Sequence, residues 1–236
     1  MDKQSLGYYN LLNKKVILTE DNWRKIKMHK ENIRILYGTT NPAKLKSMKQ
    51  NLSDFAIEVI GLKDLNLRFE AVDESGNIPL ENARLKALAY HKVAKMPVFS
   101  CDSGLYIECL EAERQPGVHV RRVNGKELND EEMIAYYAGL AEEFGGVVKA
   151  KYKNAIVLVV DENHIYEYDG EEISSKYFYI SSKAHSKRNL GFPLDSISIE
   201  IESHKYFMDM NYEEGSSDDF EVDKGYKNFF RNIGYK

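Results

Sequence analysis

The chain has 236 residues, of which 43% are hydrophobic and 30% charged, which suits one large folded domain or two lobes that share a core. No apolar run approaches the ~20 residues of a membrane helix, and the first residues lack the apolar centre of a signal peptide, so we expect a soluble, cytoplasmic protein. The net charge of −4 argues against a binder of duplex nucleic acid, and the two cysteines, Cys101 and Cys109, match neither a disulfide framework nor a zinc site.

Residues 1–32 are interpreted as an N-terminal extension, and residues 33–236 as the folded domain. The extension is polar and has one predicted short helix at 22–30. The domain begins with a predicted strand at 32–37, which Gly38 and the following polar residues end. A helix then starts at Pro42, a residue suited to the first helical turn, and its apolar stripe recurs every three to four residues.

Strands and helices alternate through the rest of the chain, which predicts an α/β fold. The next predicted elements are a strand at 56–60, an acidic loop at 70–79, a helix at 80–95 with Leu85, Leu88, Ala89 and Val93 on one face, and strands at 97–100 and 105–110. They are followed by a helix at 129–144, a hairpin at 147–160 and 164–168, strands at 173–181 and 196–205, a loop at 215–219 and a terminal helix at 223–233.

Several polar clusters could carry chemistry, although each has an ordinary structural explanation. Thr39, Asn41 and Lys44 lie where a strand meets a helix N-terminus, which binds anions but also attracts capping side chains. Glu74 lies in an acidic segment and Asp102 could hold Mg²⁺ through one oxygen, whereas acidic residues beside glycine are also common turn formers. Taken alone, the sequence Asp-Ser-Gly at 102–104 predicts a turn at the end of a strand.

A further cluster at residues 191–195 joins an aromatic ring to a carboxylate. The ring of Phe192 could stack on a nucleobase, and Asp195 could accept hydrogen bonds from the edge of that base. The alternative is a core phenylalanine in a tight loop, which this short segment by itself favours.

Taken in order, these motifs resemble those of the inosine triphosphate pyrophosphatase family, whose members remove non-standard purine nucleotides. The resemblance spans roughly residues 33–233. It is carried by ILYGTTNPAKL at 35–45, ESG at 74–76, LENARLKA at 80–87, SCDSGL at 100–105, PGVHVRR at 116–122 and GFPLD at 191–195.

The resemblance implies both an architecture and an activity. The architecture is a long, twisted, mixed β-sheet with flanking helices and two lobes around a central cleft. The activity is Mg²⁺-dependent hydrolysis of a nucleoside triphosphate, of a non-standard purine, to the monophosphate and pyrophosphate. The resemblance also implies a homodimer, with a nucleoside triphosphate as substrate, and we expect neither nucleic acid nor membrane as a partner.

Matching positions carry roles over from the family. Glu74 and Asp102 are expected to bind Mg²⁺, and Asp102 also to activate the attacking water. The residues expected to act in catalysis are Asp102, Lys44 and Glu74, and those expected to bind the substrate are Thr39, Asn41, Lys44, Lys86, Ser103, Phe192, Asp195 and Lys224. Within that set, Phe192 is expected to stack on the base, with Asp195 beside it. The residues expected to hold the phosphates are Thr39, Asn41, Lys44 and Ser103. Lys86 is expected to add positive charge to the cleft, and Lys224 to contact the base or a phosphate.

The chain also departs from the family pattern. Ser47 stands where the first helix of the family carries glutamate, and Cys101 replaces the first of two adjacent aspartates. Asp223 and Lys224 are the best counterparts of a histidine and an arginine near the last helix. These departures keep two alternatives open: a nucleotide-sensing protein without turnover, and a related enzyme that acts on a different nucleotide or phosphate ester.

Overall fold

The computed structural model describes residues 33–210 and 217–235, so the predicted extension, its short helix and Gly215 lie outside the described residues. The strands are β1 (Ile33–Tyr37), β2 (Ile57–Gly61), β3 (Val98–Ile107), β4 (Arg122–Val123), β5 (Lys126–Glu127), β6 (Val147–Asp161), β7 (His164–Tyr168), β8 (Phe178–Ser181) and β9 (Ser198–Glu200). The helices are α1 (Pro42–Asn51), α2 (Pro79–Ala94), α3 (Asp130–Glu143) and α4 (Ser217–Asn232). None of the helices in these ranges is long and apolar enough to cross a membrane.

One mixed sheet of seven strands organises the chain. Six strands follow the order β2-β1-β3-β6-β8-β9, and the seventh, β7, pairs with β6. Strand β1 runs parallel to both β2 and β3, and the remaining pairs are antiparallel. The long strands β3 and β6 pair over ten positions, and β7 and β8 share the far edge of β6. The predicted mixed α/β sheet is therefore confirmed, and its two longest strands run through both halves of the molecule.

Two apolar clusters lie along this central pair and define two lobes. The first packs α1 and α4 against the sheet around Tyr37, Phe99 and Phe230. The second packs α3 against the far half of β3 and β6 around Leu105 and Tyr137. Because one strand pair crosses both clusters, the lobes are held in a fixed relation along the sheet.

Helix α2 covers the other face of the sheet with small side chains. Ala83 and Ala87 are fully buried against Ala155 and Val157, so the helix backbone comes close to the strands. The face of this helix that the sequence predicted as apolar does not pack in the core: Leu85, Leu88 and Val93 are 38%, 40% and 44% exposed. The large side chains suggested the buried face, whereas close packing on the sheet selected the alanine face.

Strand β3 also corrects the sequence prediction. It runs without interruption from Val98 to Ile107, so Asp102, Ser103 and Gly104 lie inside a strand and form no turn. The predicted strands at 97–100 and 105–110 are one element. Ten consecutive pairs with β6 keep these residues extended, a contact between distant segments that local turn propensity does not register.

Three later predictions have the wrong bounds. The strand predicted at 173–181 starts only at Phe178, because Ile173 lies in a 3-10 turn. The strand predicted at 196–205 is the three-residue β9. It ends where the Glu200 carboxylate accepts the backbone N–H groups of Glu202 and Ser203, which turns the chain. Helix α4 begins at Ser217, so Asp219 is helical and does not belong to a loop.

Two helical glycines should respond oppositely to replacement by alanine. A Cβ on Gly225 of α4 would lie 2.1 Å from the carbonyl oxygen of Glu172, whereas a Cβ on Gly139 of α3 meets nothing within 4 Å. We expect Gly139→Ala to raise the free energy of unfolding by ~0.5–1 kcal/mol, because glycine is a poor helix former. Gly225→Ala should lower it by about 1–3 kcal/mol through overpacking.

Urea denaturation followed by circular dichroism measures both changes. Equal stabilisation by the two substitutions would show that α4 does not approach the segment at Glu172 this closely.

Candidate active site

The site is built around Asp102, which is 8% exposed in the middle of β3. Its side chain lies on the α2 face of the sheet, opposite Ala155 of β6 in the strand register. Side chains alternate along a strand, so Cys101 and Ser103 point to the other face. Sequence reasoning found Asp102 through its motif but placed it in a turn.

Lys86 of α2 bridges the two predicted metal ligands. Its Nζ lies 2.7 Å from Oδ1 of Asp102 and 2.9 Å from Oε2 of Glu74. The Lys86 and Asp102 side chains are only 12% and 11% exposed, and that of Glu74 is 36% exposed. Burial alone would lower the pKa of Lys86, but the two carboxylates outweigh burial and raise it, so the lysine stays charged. The structure thus brings these three predicted residues together.

Two side chains at the start of α2 hold the loop that carries Glu74. Oδ1 of Asn82 accepts the backbone N–H of Gly76 at 2.8 Å, and Oε2 of Glu81 accepts that of Asn77 at 2.8 Å. A Cβ on Gly76 would lie 2.6 Å from Cβ of Glu81, so only glycine fits there. Sequence reasoning quoted the motif that contains Glu81 and Asn82 but gave them no role, because their function is to hold a neighbouring loop.

The anion-binding loop joins β1 to α1. Asn41 is the N-cap residue: its Oδ1 accepts the N–H groups of Ala43 at 2.9 Å and Lys44 at 3.4 Å. Thr39 supports the loop, because its Oγ1 accepts the N–H of Asn41 at 3.2 Å. Asn41 therefore caps the helix and Thr39 supports the cap, which is the structural alternative to phosphate binding that the sequence allowed. The dipole of the helix N-terminus beside them still favours an anion.

Lys44 lies half-buried in the first turn of α1, within electrostatic range of the bridge. Burial lowers its pKa, the charge of Lys86 lowers it further, and Asp102 acts weakly in the opposite direction. No hydrogen bond or ion pair joins the Lys44 ammonium to a side chain in the described part of the chain. Lys86 is neutralised by carboxylates, so Lys44 is the cation at this edge that is available to a ligand.

Cys101 occupies the other face of β3 and is buried in the first apolar cluster. Burial raises the pKa of its thiol to about 12, although a hydrogen bond with Tyr37 acts to lower it. The thiol is therefore neutral. The family pattern has an aspartate at position 101. In this chain the neutral Cys101 thiol replaces that carboxylate and lies among buried tyrosine and phenylalanine rings.

The edge of β3 that faces β1 is open at the motif. Strand β1 pairs with β3 only at Val98 and Phe99, and the next backbone contact on that side is between Leu105 and Gly117. Residues 101–104 lie in this gap. Asp102 and the half-buried Ser103 point to opposite faces of the sheet, and both lie on the part of this edge that has no strand partner.

The predicted base-binding segment lies across the same gap. Gly191 has φ +88, and a Cβ there would lie 3.1 Å from Cβ of Ala43, so this segment lies directly against the anion loop. Nδ2 of Asn41 donates to the carbonyl oxygen of Gly191 at 3.4 Å. Phe192 and Asp195 are half-buried beside it. Motifs 150 residues apart in sequence therefore meet, as the resemblance implies.

Lys224 is not brought to this group by any described contact. It is exposed on α4. Its neighbour Asp223 accepts a 2.9 Å hydrogen bond from Nδ2 of Asn51 at the end of α1. The expected contact of Lys224 with the base stays a prediction.

The two carboxylates fit a magnesium ion that is shared with a substrate. They already converge on one cation, the Lys86 ammonium. Mg²⁺ usually takes one or two carboxylates and completes its shell with water and phosphate oxygens. Within the described ranges, no group of three or more His, Cys, Asp or Glu side chains is arranged to hold a metal ion.

The sequence is similar to a known protein family and to characterised members of it. The profile of the Ham1 family matches residues 35–214. A dITP/XTP pyrophosphatase of Haemophilus influenzae is 35% identical over 130 residues, which cover 53% of this chain and 63% of that protein. One from Thermus thermophilus is 28% identical over 182 residues, which cover 77% of this chain and 83% of that protein. The matched part thus spans just under two thirds of the Haemophilus protein.

Solved structures share the fold. The Ham1 protein of Staphylococcus aureus superposes with a TM-score of 0.64 at 22% identity, over 85% of this chain and 99% of that one. A Ham1 protein from Coxiella burnetii superposes with a TM-score of 0.67 at 22% identity, over 84% and 98% of the two chains. With the family profile matched from β1 to beyond β9, the chain belongs to the Ham1 family.

Proposed function

We propose that this protein is a nucleoside triphosphate pyrophosphatase that hydrolyses non-standard purine triphosphates to the monophosphate and pyrophosphate. The observation that carries the proposal is the bridge of Glu74, Lys86 and Asp102 at the open edge of β3, next to the N-terminus of α1. Relatives named dITP/XTP pyrophosphatases support the choice of substrate class.

The arrangement separates the recognition of phosphate from that of the base. The dipole at the start of α1 attracts the polyphosphate, and the Lys44 ammonium adds charge at the same edge. Phe192 and Asp195 lie across the gap, where a stacked base and its polar edge would meet them. A nucleotide that spans the gap places its phosphates beside Asp102.

Glu74 and Asp102 are the residues that would hold Mg²⁺. When bound, this ion neutralises and orients the phosphate oxygens. Lys86 keeps the two carboxylates together, because its charge offsets their mutual repulsion. Asp102 is placed to accept a proton from the water that attacks the α-phosphorus, and pyrophosphate leaves from the opposite side.

A second candidate is a nucleotide sensor without turnover. The observation that favours it is the neutral, buried Cys101 in place of a carboxylate next to Asp102. The two functions differ in one measurement, the release of pyrophosphate. From the resemblance we also infer a homodimer, and light scattering on the purified chain measures the oligomeric state. From composition and charge we infer a cytoplasmic location and no nucleic-acid partner.

Turnover is tested with a panel of inosine, xanthosine, adenosine, guanosine and pyrimidine triphosphates in the presence of Mg²⁺. We expect pyrophosphate release, fastest with inosine or xanthosine triphosphate. Asp102→Asn should lower kcat by about 10²–10⁴-fold, because the amide cannot accept the proton. Asp161→Asn, at the exposed end of β6, is the matched control and should leave kcat unchanged. Nucleotide binding without any pyrophosphate release would instead establish the sensor.

Metal dependence is tested at Glu74. Chelation should abolish turnover, and Glu74→Gln should raise the Mg²⁺ concentration that gives half-maximal activity by at least about tenfold, since a carboxylate ligand is lost. Glu70→Gln, an exposed residue of the same acidic loop, should not change it. An identical Mg²⁺ titration for the Glu74→Gln variant and the wild type would remove Glu74 from the metal site.

The pH dependence should report the lowered pKa of Lys44. The lysine is charged below its pKa, so kcat/KM falls as the pH rises through that value, at a lower pH than an ordinary lysine would give. Lys44→Arg should move this alkaline limb to higher pH, because arginine stays protonated. Lys46→Arg, at an exposed position two residues further along α1, should leave the limb in place. An unshifted limb in the Lys44→Arg variant would assign it to another group.

A further inference from the structure

We propose that Asn189 is a positioning residue, which orients the Asp195 carboxylate and thereby sets the discrimination between purine bases. Nδ2 of Asn189 donates a 2.7 Å hydrogen bond to Oδ2 of Asp195. The proposal rests on the proposed function, because it takes Asp195 as the residue that meets the base edge. The sequence motifs did not single out Asn189.

Asp195 lies where a base edge can reach it. It belongs to the 3-10 turn Pro193–Ser196, whose other three members are buried, so Asp195 is the member of the turn that is partly exposed. It also lies close to Tyr152, whose pKa is raised first by burial and then by the Asp195 charge. Tyr152 pairs with Leu105 in the register, on the same sheet face as Ser103. The carboxylate therefore lies on the same face of the sheet as the Ser103 side chain.

Asn189 contributes two separate hydrogen bonds to this segment. Its backbone carbonyl accepts the N–H of Phe192 at 3.0 Å and closes the turn. Its side chain holds Asp195. A substitution at residue 189 removes only the side-chain bond, because any residue supplies the carbonyl. The contact between Asn41 and Gly191 fastens the segment to the anion loop independently of both.

The chemistry of the carboxylate defines which bases it selects. An ionised carboxylate only accepts hydrogen bonds. Hypoxanthine, xanthine and guanine carry an N–H at the purine N1 position, whereas adenine presents a lone pair there, which a carboxylate repels. The hydrogen bond from Asn189 to Oδ2 keeps the Asp195 carboxylate in one orientation toward the base. A polar group that is fixed in this way discriminates between purine bases more strongly than one that rotates into solvent.

The test compares kcat/KM for inosine triphosphate with that for adenosine triphosphate. Asn189→Ala should lower this ratio roughly tenfold, the effect of one orienting hydrogen bond. Asn189→Asp should lower it at least as much, because a second carboxylate repels Asp195. Asn189→Gln keeps the amide donor and should recover part of the ratio. Ser186→Ala, an exposed residue of the same segment, is the control and should not change it.

A double-mutant cycle separates positioning from a general loss of structure. In an Asp195→Asn background, Asn189→Ala should cause no further change in the ratio, whereas a structural role would still lower the activity on both nucleotides. An unchanged ratio in both the Asn189→Ala and Asn189→Asp variants, with thermal midpoints equal to that of the wild type, would overturn the proposal. The Asn189→Asp variant answers the same question if the alanine variant does not fold.

Failure of the proposed function gives a different result. If the wild type hydrolyses no nucleotide, calorimetric dissociation constants for inosine and adenosine triphosphate replace the kinetic ratio. A loss of selectivity in binding on Asn189→Ala then supports the role of Asn189 in a sensor. Equal dissociation constants for the two nucleotides with the wild-type protein would overturn it.

Discussion

The ion bridge of Lys86 with Glu74 and Asp102 is the interaction on which the site depends. It requires a loop, a helix and a strand to come together, and each is placed by a separate set of contacts. Buried ion pairs add little net stability, because desolvation offsets their attraction. The bridge is therefore best understood as a way to keep two carboxylates side by side before a substrate and its metal arrive.

The open edge of β3 gives these carboxylates their access. Strand β1 ends at Tyr37, and the carbonyl of Gly38 still accepts a 3.0 Å hydrogen bond from Oγ of Ser100 before the chain enters the anion loop. Strand β3 continues beyond this point with a partner strand, β6, on its other edge only. The difference in length between two neighbouring strands thus places a helix N-terminus and an acidic group at the same gap.

The second lobe completes the cleft through a tightly constrained loop. Gly191 allows the loop at 189–195 to lie against Ala43, and the side chains of Asn41 and Asn189 hold it from either side. The spacing between the anion loop and the loop at 189–195 is consequently set by packing contacts between them.

Local patterns in the sequence by themselves determined the early strands, three of the helix starts and the hairpin of β6 and β7. Capping residues such as Asn41 and Asn129 and the apolar periodicity act within a few residues of each other. Motif order also selected Lys44, Glu74, Lys86 and Asp102 as candidate site residues. Only the tertiary structure decided that Asp102 lies within a strand, that the alanine face of α2 is buried, and that the side chains of Asn82 and Asn189 bond to Gly76 and Asp195. These outcomes depend on contacts between segments far apart in the chain, which no local pattern contains.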